Sequence, residues 1–419
     1  MSVDSTWAER ALHHAHHIAT RIGPRGAATP EEKQAADYAQ RQMQQLGLRD
    51  VRVEVFRTMS NGWLPITIIF SIAVWSVFAC WSLFYLVRSL AARTNTAADT
   101  SSAGALLSLP GALVAIILCG IAITLLYREM TLSDHLLRRL ARSTSFNTIA
   151  HLPPAETIKQ RVVLVSSLDT PPAAPVLKTP RRARIFRVVF YIGSVSLIGS
   201  VVMYLLGGLD LWEWAFVFAG IFALLQSAVI IQSLRADHGD FTPGANDNAS
   251  GVGTVLALAE RLSAAPLQNT EVWIACCGGY TAGGSGLRDV LRRHDKLHDA
   301  WCIGFEGVGI GDRLVAIRRE GWLRRSVHPA VRDLIARTAA ANPDRPIETR
   351  STSRNTVVTA ALWRGCRSVC LSVYDHRNEI PFAYRLDDTV EQLQLSALDA
   401  VQEFGWQLLR QIDQATSQP

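Results

Sequence analysis

Four stretches of the chain are apolar throughout and contain no aspartate, glutamate, lysine, arginine or histidine. They cover residues 63–87, 104–127, 188–209 and 214–234. A helix needs about 20 such residues to cross the hydrocarbon core of a bilayer, and the cores of soluble proteins seldom supply several uncharged runs of this length. The pattern therefore predicts four transmembrane helices, arranged as two hairpins at 63–127 and 188–234.

Basic residues are distributed unevenly around the two hairpins. The loops inside the hairpins carry only Arg88 and Arg93. The outer flanks carry Arg57, Arg128, Arg138, Arg139, Arg142, Lys178, Arg181, Arg182, Arg184, Arg187 and Arg235. Because short segments rich in arginine and lysine stay in the cytoplasm, we expect an integral membrane protein whose polar segments and both termini are cytoplasmic. The lipid bilayer is then one partner, and residues 181–184 are expected to meet anionic lipid head groups.

The polar segments, residues 1–58, 128–187 and 235–419, alternate between helical and extended patterns. Helices are predicted at 7–18, 30–46, 249–262, 287–293, 329–341, 356–363 and 389–412. Strands are predicted at 51–56, 146–151, 162–165, 271–277, 300–306, 314–317 and 368–373. Such alternation is typical of an α/β sheet covered by helices on both faces. We interpret the three segments as the N-terminal, middle and C-terminal parts of one domain.

The composition agrees with this division and excludes several protein classes. Of the 419 residues, 49% are hydrophobic and 19% are charged, and the mean hydropathy is +0.15, which excludes a disordered or collagen-like chain. The seven cysteines have no zinc-finger spacing and indicate a reduced compartment. The formal net charge is +6, but the arginines do not cluster with aromatic residues, so no nucleic-acid partner is expected.

The most informative motif is Pro-Gly-Ala-Asn-Asp-Asn-Ala-Ser-Gly-Val-Gly at residues 243–253, where a predicted helix begins. It resembles the signature of the di-zinc aminopeptidases of peptidase clan MH (metallopeptidase family twenty-eight), which include the glutaminyl cyclases. The resemblance covers essentially every residue outside the hairpins, through an opening helix, a Gly-Pro break and a second helix. It continues through Ser167-Leu168-Asp169, Gly278-Gly279 before Gly284-Ser285, Glu306, and Tyr384 before Asp388-Thr389. The resemblance implies a three-layer α/β/α domain with a mixed sheet, into which the two membrane hairpins are inserted.

The same resemblance implies a site for two zinc ions. In this family an aspartate bridges the ions, each ion also takes a histidine and a further carboxylate, and a glutamate acts as general base on the bridging water. The bridging aspartate matches Asp247, and the second carboxylate matches Glu306, which can still ligate a cation.

The other positions of that site have lost their chemistry in this sequence. The first histidine is replaced by Ser167, two residues before Asp169, and the last histidine by Tyr384. The general base and its neighbouring ligand are replaced by Gly278 and Gly279, which also predict a widened cleft. Two carboxylates alone bind Zn²⁺ poorly and suit a weak Mg²⁺ or Ca²⁺ site. We therefore expect no bound cofactor and a degenerate metal site.

Zinc remains the alternative if other residues rebuild the site. His238, before Asp247, and His376, before Tyr384, are the candidates, although neither has the spacing of a metal ligand. His13 and His17 lie four residues apart on a predicted helix, but no carboxylate or cysteine partner follows them.

The motif also has a purely structural interpretation, which stays open beside a retained ligand pocket. Asn246, Asp247 or Asn248 can cap the helix that follows, and Asp388 with Thr389 can cap the last helix.

Three functions follow as hypotheses. The first is a membrane-anchored pseudopeptidase that binds a protein or peptide partner through the remnant cleft. The alternative is an active membrane-bound zinc aminopeptidase with a rearranged site. A transport or assembly component is the third, but the spans hold no ionisable group, and Gln226 and Gln232 are their only long polar side chains.

Overall fold

The computed structural model describes residues 3–93, 100–132 and 142–415. The chain forms two compact units. The sheet unit comprises residues 1–62, 130–174 and 239–419, and the helical unit comprises residues 63–129 and 175–238. Arg138 and Arg139, which entered the orientation argument, lie outside the described residues.

Helices and strands alternate along the sheet unit, and four long helices make up the helical unit. The helices are α1 (Val3–His17), α2 (Pro30–Gln45), α3 (Leu64–Arg93), α4 (Thr100–Met130), α5 (Pro180–Gly208), α6 (Ala215–Ala236), α7 (Ser250–Ala264), α8 (Ser285–Arg293), α9 (Pro329–Ala341), α10 (Thr359–Trp363) and α11 (Leu395–Ala415). The strands are β1 (Arg49–Thr58), β2 (Ser143–Leu152), β3 (Gln160–Ser167), β4 (Thr270–Cys277), β5 (Trp301–Phe305), β6 (Arg313–Glu320), β7 (Arg325–Ser326), β8 (Ile347–Ser351) and β9 (Arg367–Tyr374).

The predicted elements are present, with three differences, the first being that the helix predicted at 356–363 begins only at Thr359. The helix predicted at 389–412 begins only at Leu395, because residues 390–392 form a separate short helical turn. The strands β7 and β8 were not predicted, because both are short and largely exposed and so lack an apolar pattern.

The sheet is mixed, with the strand order β1-β2-β4-β3-β5-β9-β6-β7 and β8 paired to β6. The central strands β4, β3, β5 and β9 run parallel to one another. The pairs β1-β2, β2-β4 and β6-β9 are antiparallel. The carboxyl ends of four parallel strands therefore meet at one edge, which is where α/β sheets usually hold their sites.

Alternate residues of the central strands face two separate cores. Val162 and Leu164 of β3 belong to a core that also contains residues of α1, α2, α7, α9 and α11. Val163 and Val165 belong to a second core with residues of α8 and α10. A strand alternates its side chains between the two faces of a sheet, so helices cover both faces. The predicted α/β architecture is confirmed.

Within the described residues, four helices are long and apolar enough to cross a membrane. They span Leu64–Leu90, Ser108–Met130, Pro180–Gly208 and Ala215–Ala236, with mean hydropathy from 2.0 to 2.6. These segments agree with the four apolar runs of the sequence.

Two hydrogen bonds between polar side chains join neighbouring helices of the helical unit. Gln226 Nε2 donates to Ser200 Oγ at 3.0 Å, and the hydroxyl oxygens of Ser76 and Tyr204 lie 2.9 Å apart. Such contacts are typical of helix packing in membranes.

Candidate functional site

The residues aligned with the metal site lie at the carboxyl edge of the parallel strands. Ser167 is the last residue of β3, Gly278 follows β4, and Glu306 follows β5. Asp247 lies in the helical turn Ala245–Ala249, directly before α7. Both surviving carboxylates are buried, with 3% of Asp247 and 2% of Glu306 exposed.

A guanidinium group lies between these two carboxylates. Nη2 of Arg354 is 3.5 Å from Oδ2 of Asp247 and 3.5 Å from Oε1 of Glu306. The guanidinium carbon also lies 5.0 Å from the ring centroid of Tyr384, which places the cation over the ring face. One protein cation therefore contacts both acids. The sequence analysis did not identify Arg354 as part of the site.

Glu306 is further fixed by a tyrosine and by a backbone amide. Its Oε2 accepts a hydrogen bond of 3.1 Å from the N–H of Val357, and its Oε1 lies 2.9 Å from the hydroxyl of Tyr280. That hydroxyl also lies 2.7 Å from the carbonyl oxygen of Asn355. A phenol has a single proton to donate. The Tyr280 hydroxyl therefore satisfies both short contacts when it donates to the carbonyl oxygen of Asn355 and accepts a proton from a protonated Glu306. Burial, opposed by Arg354, raises the pKa of Glu306 to about 8, in agreement with that arrangement.

The turn that carries Asp247 is held from the opposite end of the chain. The carboxylate of Asp388 accepts hydrogen bonds from the N–H of Asn246 at 2.8 Å and of Asp247 at 3.0 Å. Burial raises the pKa of Asp388 to about 7. The prediction that Asp388 caps the last helix is therefore wrong, because its oxygens bind a turn that precedes α7.

Asn248 joins the ends of two strands instead of capping α7. Its Nδ2 lies 3.0 Å from Ser166 Oγ, 3.1 Å from Ser167 Oγ and 2.8 Å from the carbonyl oxygen of Phe305. Its Oδ1 accepts from the N–H of Gly307 at 3.1 Å. No side chain caps the start of α7, so the capping role predicted for this run is also wrong.

The side chains next to the lost ligands are already bound to the protein. Ser167 Oγ is a partner of the Asn248 amide. Asp169, which is 1% exposed, accepts from the N–H of Tyr280 at 2.9 Å and from both the N–H and the hydroxyl of Thr281, at 2.8 and 2.6 Å. Asp169 thus holds the turn after β4, in line with a role in shaping a turn.

The two glycines do not open a wider cleft, contrary to expectation. A Cβ added at Gly278 would lie 2.5 Å from Glu32 Oε1 and 2.5 Å from Ser145 Oγ. Glu32 is fully buried, and its Oε1 accepts hydrogen bonds from the N–H of Gly279 at 2.7 Å and from Ser145 Oγ at 2.9 Å. Burial and the nearby Asp169 raise the pKa of Glu32 to about 8. The only sequence signal for Glu32 was its place in a Thr-x-x-Glu capping box at the start of α2.

A second arginine, Arg25, is fully buried behind the Asp247 turn. Its guanidinium donates to the carbonyl oxygens of Leu168 at 3.0 Å, Pro243 at 2.9 Å and Gly244 at 3.1 Å. Burial lowers the pKa of Arg25 to about 10, against the opposing effect of the nearby buried aspartates. Arg25 therefore joins the N-terminal segment to β3 and to the motif.

Of the histidines named as possible replacements, His238 belongs to the helical unit, and His376 is an exposed residue of the loop after β9. His14 is buried with its Nδ1 2.7 Å from the hydroxyl of Tyr38, and the ring of His17 stacks on Tyr38 at 4.3 Å. Burial lowers the pKa of His14 to about 4.

The residues of the site do not suit a pair of zinc ions. In the described ranges, no group of three or more histidine, cysteine, aspartate or glutamate side chains could hold a metal ion. A zinc site needs several such ligands, whereas the two remaining carboxylates share a protein guanidinium.

The sequence and the fold match known peptidases. The model of peptidase family M28 matches residues 227–408. No relative among curated proteins matches the chain. The fold is similar to that of the zinc aminopeptidase BSAP from Bacillus subtilis, with a TM-score of 0.54 at 14% identity over 97% of this chain and 94% of that one.

Two further structures have the same fold. One is a Bacteroides thetaiotaomicron glutaminyl cyclase bound to N-acetylhistamine, with a TM-score of 0.52 at 12% identity over 96% of this chain and 97% of that one. The other is a Zn-dependent exopeptidase from Parabacteroides distasonis, with a TM-score of 0.52 at 12% identity over 97% of each chain.

Proposed function

We propose, from the premise that residues 227–408 belong to peptidase family M28, that this chain is a membrane-anchored pseudopeptidase whose remnant site binds a protein or peptide partner without hydrolysing it. The main support for the proposal comes from Gly278, the residue aligned with the general base. Gly278 has no side chain, and Glu32 and Ser145 already fill the space that a side chain would enter.

Hydrolysis by this family needs both a general base and cations that polarise the scissile carbonyl and the attacking water. Glu32 is no substitute base, because its Oε1 accepts from the N–H of Gly279 and its Oε2 from the N–H of Ala28. Tyr384 and Ser167 present a phenol and a hydroxyl where imidazole ligands are required. The site thus lacks the general base and both imidazole ligands, and keeps only two carboxylates.

The groups left at the mouth of the site are suited to binding. Tyr280, Thr281, Arg354 and Tyr384 are all partly exposed. Tyrosine and arginine are the residues that contribute most to protein–protein affinity, because they combine a large apolar surface with hydrogen-bond donors. A peptide segment that packs against the exposed faces of these side chains is the partner that this surface favours.

The helical unit supports the proposal of membrane anchoring, because its four helices are long and apolar enough to cross a bilayer. The N–H of Trp63 lies 3.1 Å from Asp237 Oδ1, and its ring lies 4.8 Å from the ring of Phe186. The start of α3, the first turns of α5 and the end of α6 therefore lie at the same end of the unit. The exposed basic residues at that end are Lys178, Arg181, Arg182, Arg184 and Arg235. This charge distribution favours a cytoplasmic location for that end.

An active zinc aminopeptidase is the second candidate, since Asp247 and Glu306 still lie close enough to contact one cation. Full-length protein purified in detergent without chelators distinguishes the two candidates. We expect no hydrolysis of aminoacyl-p-nitroanilides and no stoichiometric zinc by elemental mass spectrometry. Zinc-dependent hydrolysis that disappears in Asp247→Asn would overturn the proposal, whereas a trace activity equal in Asp247→Asn and wild type would mark a contaminant.

A further inference from the structure

We propose that Arg354 is a built-in cation that takes the position of a divalent metal ion between Asp247 and Glu306, and that removing its guanidinium turns the pair into a divalent-cation site. The inference rests on the proposed function, because it explains how the fold keeps two buried acids after losing its metal ligands. The cation between the two acids is then supplied by the protein itself.

The need for a cation comes from burial. Asp247 and Glu306 are almost completely shielded from water, and both face the same nitrogen of Arg354 at 3.5 Å. Burial removes the hydration of both carboxyl groups, and a positive charge in contact with both of them offsets part of that cost. A cation that contacts both oxygens serves both acids at once, which is what a bridging metal ion also does.

The loop that carries Arg354 is fixed by contacts of its backbone. The carbonyl of Arg354 accepts from the N–H of Gly321 at 2.9 Å, and the carbonyl of Asn355 lies 2.7 Å from the Tyr280 hydroxyl. The N–H of Val357 donates to Glu306 itself. The loop and its acid partner are therefore one connected unit.

The loop is anchored again on its other side. Glu320 is 1% exposed, and its carboxylate oxygens lie 2.5 Å from Thr356 Oγ1 and 2.8 Å from Thr359 Oγ1. The ring of Tyr384 packs against the guanidinium. These contacts hold the segment that carries Arg354 on several sides.

A metal ion and this guanidinium compete for the same two oxygens. Without Arg354, the oxygen ligands of Asp247 and Glu306, with the Tyr280 hydroxyl beside them, suit a hard divalent cation such as Mn²⁺. Only a partial ligand set remains, so we expect weak binding that depends on both carboxylates.

Mn²⁺ titration of the full-length protein in detergent, followed by electron paramagnetic resonance, tests the inference. Arg354→Ala should bind Mn²⁺ at least about tenfold more tightly than wild type. The double variant Arg354→Ala/Asp247→Asn should lose that gain. Arg337→Ala removes an exposed arginine of α9 and serves as the matched control, which should behave like wild type.

A thermal unfolding cycle covers the case in which Arg354→Ala folds poorly. The single variant should unfold at a lower temperature than wild type, and adding Asp247→Asn should recover part of the loss because one unpaired acid is removed. Equal Mn²⁺ affinity in wild type and Arg354→Ala, or no recovery in the double variant, would overturn the inference while leaving the pseudopeptidase proposal intact. Peptide hydrolysis by wild type would overturn that proposal instead.

Discussion

Glu32 in helix α2 accepts a 2.7 Å hydrogen bond from the backbone N–H of Gly279, which lies 247 positions further along the chain. The contact joins the first part of the sheet unit to the turn that follows β4. The Glu32 carboxylate is fully buried and lies where a side chain at position 278 would have to enter. This contact therefore leaves no room for a side chain at position 278.

Restoring a side chain at Gly278 should destabilise the protein. In Gly278→Ala the new Cβ meets Glu32, Ser145 and the carbonyl of Phe146 at 2.5 to 2.6 Å, and we expect a loss of about 1–3 kcal/mol. Thermal unfolding in detergent measures it. Gly220→Ala, where nothing lies within 4 Å of the added Cβ, is the control, and equal unfolding temperatures for the two variants would contradict the packing described.

Replacing Arg25 should be costly even when the charge is kept. Its guanidinium donates to several carbonyl oxygens around the motif, and the ammonium of a lysine cannot match this set of directions. Arg25→Lys and Arg25→Met are both expected to lose about 2–4 kcal/mol, because buried carbonyls are left unpaired. Chemical denaturation gives the free energy of unfolding. The control is Arg332→Lys at an exposed position of α9, which should remain within about 0.5 kcal/mol of wild type. An Arg25→Lys variant as stable as wild type would refute the role assigned to the Arg25 guanidinium.

Glu320 should make stability depend on pH. Burial raises its pKa from 4.5 to about 7, so between these pH values the folded chain keeps a proton that the unfolded chain releases. The contribution of Glu320 therefore falls as the pH rises from 4.5 to 7, by up to about 1.4 kcal/mol per pH unit, and is constant above that window. The free energy of unfolding of wild type and of Glu320→Gln, measured across this pH range, tests the sign. The stability of the variant should decrease less than that of wild type as the pH rises. An identical slope in both proteins would exclude Glu320 as the titrating group.

The orientation of the helical unit can be tested with reporters at the C-terminus. Because the exposed arginines collect at the end of the unit where α5 begins and α6 ends, we expect a fused green fluorescent protein to fluoresce and a fused alkaline phosphatase to be inactive. Replacing Arg181, Arg182 and Arg184 by glutamine should weaken this preference. Phosphatase activity in the unmodified fusion would show the opposite topology.

The sequence by itself determined the large divisions of this protein. The apolar runs predicted the four long helices, because crossing a bilayer requires a length and a composition that can be counted along the chain. The alternation of helix and strand predicted an α/β sheet covered by helices, and the motif at 243–253 indicated a resemblance to peptidase family M28, whose model matches residues 227–408. These features are local, so neighbouring residues are sufficient to reveal them.

Only the tertiary structure decided what happens at the site. Arg354, Glu32 and Arg25 come from separate segments, and no spacing in the sequence relates them to Asp247 or Gly278. Their roles depend on which buried acid or carbonyl lies within about 3.5 Å after folding, and on how far burial removes each acid from water. The sequence indicated which positions differ from a zinc site, and the fold brought a guanidinium and a buried carboxylate to two of those positions.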